Sequence, residues 1–113
     1  MVKVFISPTL FAEIEKRFNK YEANEIINLL ETLEENPKKG KEVGVVNRIV
    51  IKELKYNGFR FYFITDGFKI KFLKAEELKN LMVKFVAMSD KKDQQETIEK
   101  IKHILRTLGE EGF

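Results

Sequence analysis

Two dipeptides, Asn57-Gly58 and Asp66-Gly67, interrupt runs of alternating apolar and polar residues. A two-residue hairpin turn of this composition fixes strand register, and register decides which side chains share a face. The first turn pairs Tyr56 with Phe59, Lys55 with Arg60, Leu54 with Phe61 and Glu53 with Tyr62. A second hairpin at Asp66-Gly67 pairs Thr65 with Phe68, Ile64 with Lys69, Phe63 with Ile70 and Tyr62 with Lys71. The two registers agree, so the stretch from Arg48 to Met88 reads as an antiparallel sheet.

One face of that sheet carries Leu54, Tyr56, Phe59, Phe61, Phe63, Phe68, Ile70 and Phe72, and must be covered. The other carries Lys55, Arg60, Tyr62, Lys69 and Lys71, with Ile49, Ile51 and Ile64 among them. Lys and Arg around an aromatic ring suit a surface that meets phosphates. The same alternation also describes a solvated antiparallel face.

Helical spacing supplies the cover. Phe11, Ile14, Phe18 and Tyr21 form one stripe and Ile26, Leu29, Leu30 and Leu33 a second, with a break at residues 19–22. Val2 to Ile6 reads as a strand feeding the first helix through Ser7 as N-cap and Pro8 in the first turn. The second helix ends near Asn36-Pro37. Lys38 to Gly44 is a basic loop, and residues 75–80 read as a short helical turn between strands. Asp93 opens a last helix, with Glu96 completing a capping box; its stripe is Ile98, Ile101, Leu105 and Leu108, and Gly109 ends it. The expected fold is a single α+β domain over residues 1–113: an N-terminal strand and a helical pair packed on an antiparallel sheet, with a C-terminal helix.

With 113 residues, ten of them phenylalanine, the chain can bury one core. It has no cysteine, which excludes disulfides and thiolate chemistry. No run reaches the roughly 20 apolar residues of a membrane span, so a cytoplasmic location without a membrane partner is expected. Net charge is +3, too small to imply a polyanion partner unless the cations gather in one place. His103, the single histidine, lies off the last helix's apolar stripe and reads as solvated. Residues 40–44 do not match a phosphate-loop pattern, and no cofactor or metal is expected.

The order of a strand, a helical pair, Glu35-Asn36-Pro37, Gly40-Lys41, Arg48 opening a strand, Asn57-Gly58-Phe59-Arg60 at a hairpin and Lys91-Lys92 after the last apolar strand resembles the RelE/ParE toxin superfamily. The resemblance covers nearly the whole chain and is to a divergent or archaeal-type member. It implies a RelE-like toxin of a type II toxin–antitoxin system, with a cognate antitoxin, the ribosome and messenger RNA as partners. The implied activity is metal-independent cleavage of mRNA, in which a ribose 2′-OH attacks the adjacent phosphate and cations stabilise the developing charge. On that resemblance Arg60 and Lys92 take catalytic positions, while Lys52 and Lys55 lie on a strand that supplies phosphate-binding lysines. Lys69, Lys71 and Lys91 join them as RNA-binding candidates, and the derived face offers Glu53 and Tyr62 as candidate general bases.

Three departures qualify the match. Ile98 stands where active relatives often carry a tyrosine, Lys92 lacks an arginine's planar fork, and residues 66–80 add a segment to what is usually a plain hairpin. Two other readings therefore stay open. One is a non-enzymatic binding protein on the same scaffold, either a ParE-like gyrase inhibitor or a degenerate homologue; the other is a nucleic-acid-binding module.

Overall fold

A computed structural model describes residues 2–78 and 81–113. Strand β1 (Lys3–Ile6) leads through Ser7, whose hydroxyl caps the amide of Leu10, into α1 (Pro8–Arg17). Asn19 then caps α2 (Lys20–Glu31) by accepting from the Glu22 amide at 2.8 Å. A meander follows: β2 (Lys41–Val46), β3 (Ile49–Tyr56) and β4 (Phe59–Asp66). Helix α3 (Gly67–Phe72) leads through a short 3-10 turn at Ala75–Leu78 to β5 (Met82–Ser89), and α4 (Gln94–Leu108) closes the fold. The expected turn at residues 75–80 is thus helical over its described part, and residues 79 and 80 lie outside the described residues.

The sheet order is β1-β5-β4-β3-β2. The hairpin between β3 and β4 has the register expected from Asn57-Gly58, with Glu53 opposite Tyr62 and Lys55 opposite Arg60. Asn57 and Gly58 both take positive φ, 46° and 84°, as a turn matched to strand twist requires. The sheet is mixed, however, and not wholly antiparallel: β1 runs parallel to β5, joined to the rest through the helical pair.

The second hairpin does not form. Asp66 is an N-cap whose carboxylate accepts from the amides of Phe68 and Lys69, so the chain turns into α3 and leaves the sheet. Gly67 is needed there for close approach, since an added Cβ would run into Val50 Cγ2 and lie 2.9 Å from the Arg48 carbonyl. Strand β5, not residues 68–72, pairs with β4, placing Ser89 opposite Arg60 and Ala87 opposite Tyr62. Near Tyr62 the register shifts, and Val86 and Ala87 both pack on the second face.

Helices α1 and α2 cover the phenylalanine face, burying Leu10, Ile14, Ile26 and Leu30 against Leu54, Phe61, Phe63 and Phe85. Burial of each such side chain favours folding by roughly 1.5–3 kcal/mol. The opposite face is not an open basic surface. Helix α4 lies over it, seating Ile98, Ile101 and Leu105 on Ile51, Tyr62, Ile64 and Val86. The isoleucines on that face explain why α4 is required: they need an apolar cover of their own. At the head of α4 Asp93 makes no side-chain capping bond, so the expected capping box with Glu96 is absent; the Asp93 amide instead donates to Asp90 Oδ1 at 2.9 Å. Ile98 is buried between α4 and the sheet and serves packing.

Candidate phosphate-binding end of the sheet

The register collects several of the expected residues at one end of the sheet. Lys55 and Arg60 are cross-strand neighbours beside the hairpin tip, and Ser89 faces Arg60 from β5. The turn leaving Ser89 carries Asp90, Lys91 and Lys92, the two lysines exposed. Strand β2 begins at this end, with Lys41 opposite Glu53, so the exposed Lys38, Lys39 and Lys41 belong to the same region. Lys38 to Gly44 reads as a loop in the sequence, but the chain enters strand β2 at Lys41, and it is the pairing of β2 with β3 that brings these lysines toward Arg60.

Behind the exposed lysines lies a buried polar cluster. Arg60 is 8% exposed and Glu53 3%. Arg60 Nη1 donates to the Gly58 carbonyl at 3.2 Å, while its Nε is buried with no partner among the described residues. Glu53 Oε2 accepts from Gln94 Nε2 at 3.2 Å, and Oε1 likewise has no partner among the described residues. Tyr62 and Ser89 share a hydrogen bond of 2.8 Å between their hydroxyls. Burial raises the Tyr62 pKa above its ordinary value of 10.0, the Ser89 bond offsetting part of the rise. Tyr62 therefore stays a protonated phenol at neutral pH, suited to donating a hydrogen bond and not to taking a proton. Ser89 and Gln94 were missed by sequence reasoning, because their roles depend on the β4–β5 register and on how α4 enters.

The remaining candidates separate from this cluster. Lys52 faces the helical pair, on the other side of the sheet from Lys55. It is 6% exposed, its Nζ donates to the Lys38 carbonyl at 2.9 Å and lies 5.9 Å from the centre of the Phe63 ring. So placed, Lys52 belongs to the face under the helical pair and does not join the cluster around Arg60. Lys69 and Lys71 lie on α3 at the opposite end of the sheet, because the chain leaves β4 at Asp66. They are no part of this site.

Burial of Lys52 lowers its ammonium pKa from the ordinary 10.5. The unfolded chain therefore binds more protons between the folded pKa and 10.5, and stability rises with pH across that window. Below it the burial cost is present in full. Lys52→Met is expected to raise the urea midpoint at about pH 7 and to lack the gain expected of the wild type as pH rises toward 10.5. The tyrosines with raised pKa values, Tyr62 among them, act in the opposite sense only above 10.0 and do not mask the effect.

Among the described residues no group of three or more His, Cys, Asp or Glu side chains could hold a metal ion, and no helix is long and apolar enough to cross a membrane. Comparison with family models, curated proteins and solved structures finds no match for the chain.

Proposed function

We propose that this chain is a toxin of the RelE kind, which engages messenger RNA on the ribosome and promotes its cleavage through the basic end of the sheet. The observation that supports the reading is the convergence of Lys55, Arg60, Lys91 and Lys92, with Lys38, Lys39 and Lys41, on one end of a chain whose net charge is only +3. Exposed lysines there meet the RNA backbone first. Arg60 acts from a partly desolvated position, where a charge is felt more strongly than in bulk water.

In the reaction the ribose 2′-oxygen attacks the adjacent phosphorus as its proton passes to a solvent water, and the departing 5′-oxygen takes up a proton from solvent. The bond to the 5′-oxygen breaks, giving a cyclic phosphate and a 5′-hydroxyl. Arg60 and Lys92 stabilise the charge that gathers on the phosphoryl oxygens. Tyr62 is held protonated and Glu53 is buried against Gln94, so the protein's contribution is chiefly electrostatic. A neutralising antitoxin is the partner that goes with this reading, and a compartment containing ribosomes is its location.

That same burial of Glu53 and Tyr62 favours a second reading, a binding protein on the same scaffold that stalls its target without cutting RNA. Induced expression followed by primer extension on translated messages separates the two. New cleavage ends within codons are expected from the first; growth arrest with intact messages supports the second. Unchanged growth with intact messages contradicts both.

A further inference from the structure

Helix α3, the segment with no counterpart in the expected hairpin, leaves an apolar patch uncovered by the described residues. Phe68 and Phe72 are 57% and 71% exposed, their ring centres 5.2 Å apart. Beside them lies a shallow cavity of ≈ 340 Å³ between Val45, Val50, Gly67 and Phe68, rimmed by Arg48 and Lys71. Val45 is itself 47% exposed on β2, the edge strand. Neither Arg48 nor Lys71 forms an ion pair among the described residues, and the same holds for Lys69. Asp66, the carboxylate at the head of α3, is already taken up by the amides of Phe68 and Lys69.

We propose that this patch docks an acidic, apolar-anchored segment of a partner protein. An aliphatic or aromatic side chain enters the cavity between Val45, Val50 and Phe68, while carboxylates flanking it meet Arg48 and Lys71. Complementary charge on the rim of an apolar pocket gives both orientation and specificity. A concave pocket suits a single anchoring side chain better than a flat bilayer, and the six residues of α3 are few for an interfacial membrane helix. Its floor of valine and glycine offers no side-chain donor or acceptor to a nucleobase. The patch stands at the other end of the sheet from Arg60, so it does not depend on the RNA reading.

A fluorescein-labelled short peptide with a central phenylalanine flanked by glutamates tests it, against a control with lysines in place of the glutamates. Anisotropy gives the affinity and amide chemical shifts give the location. The acidic peptide is expected to bind with shifts at Val45, Val50 and Phe68, and the lysine control to bind at least about tenfold more weakly. The double charge reversal Arg48→Glu with Lys71→Glu is expected to weaken the acidic peptide roughly tenfold, and Phe68→Asp to abolish binding. All three side chains are exposed, and far-UV circular dichroism confirms that each variant folds. No binding, equal binding of the lysine control, or shifts centred elsewhere overturns the proposal. It is equally overturned if anionic vesicles or polyuridylate perturb Val45 and Phe68 while the acidic peptide does not.

Discussion

Phe63→Ala is expected to lower the unfolding free energy by about 3–5 kcal/mol. Phe63 is fully buried on β4, the middle strand of five, opposite Lys52 on β3 and Phe85 on β5. Its ring packs against that of Phe85 at 4.9 Å and 48°, and Lys52 Nζ stands 5.9 Å from its centre. Truncation removes apolar area and leaves a void that the sheet backbone cannot close, because hydrogen bonds to both neighbours hold β4 in place. It also leaves a buried ammonium beside that void. A domain of this size has about 5–15 kcal/mol in all, so the variant should be largely destabilised at modest urea concentration. Phe68→Ala, at a 57% exposed position, is the control and should change stability by no more than about 0.5 kcal/mol. A urea titration in which the two variants lose similar stability would contradict this division of the phenylalanines.

Arg60→Ala is expected to reduce RNA cleavage by roughly 10²–10³-fold, the effect of removing one preorganised group that stabilises developing negative charge. The loss should be catalytic and not a failure to fold, since among the described residues the Arg60 side chain makes one hydrogen bond, to the nearby Gly58 carbonyl. Far-UV circular dichroism and the urea midpoint check this. Arg60→Lys keeps the charge but loses the planar fork, and should recover only part of the activity. Lys69→Ala and Lys71→Ala, at the far end of the sheet, should leave cleavage unchanged. Cleavage insensitive to Arg60→Ala, or sensitive to the α3 lysines, would place the reactive phosphate elsewhere.

The contrast between the two glycine dipeptides shows how far the sequence could be read. Asn57-Gly58 is legible because both residues tolerate positive φ and both flanking strands continue on each side. Asp66-Gly67 offers the same local chemistry, yet an aspartate that can start a turn can equally cap a helix. The choice fell to a tertiary contact, the room Gly67 leaves for Val50. That single difference moved Lys69 and Lys71 away from Arg60 and turned Phe68 and Phe72 outward.

Lys52 was misleading for a related reason. Alternation puts it on the opposite face from Lys55, but only the loop carbonyl of Lys38 shows why a lysine is tolerated beneath the helical pair. The stripe of Ile98, Ile101 and Leu105 was readable, and so were Ile49, Ile51 and Ile64. What joins them is the placement of α4, which no local period encodes.

The most direct test of the phosphate-binding end is to record amide and side-chain chemical shifts of the labelled protein as a short single-stranded RNA is added at low and high salt. Shifts should concentrate at Lys55, Arg60, Ser89, Lys91, Lys92 and the loop from Lys38 to Lys41, and should fade as salt rises. Salt-insensitive binding, or shifts centred on α3 with the sheet end silent, would contradict the assignment.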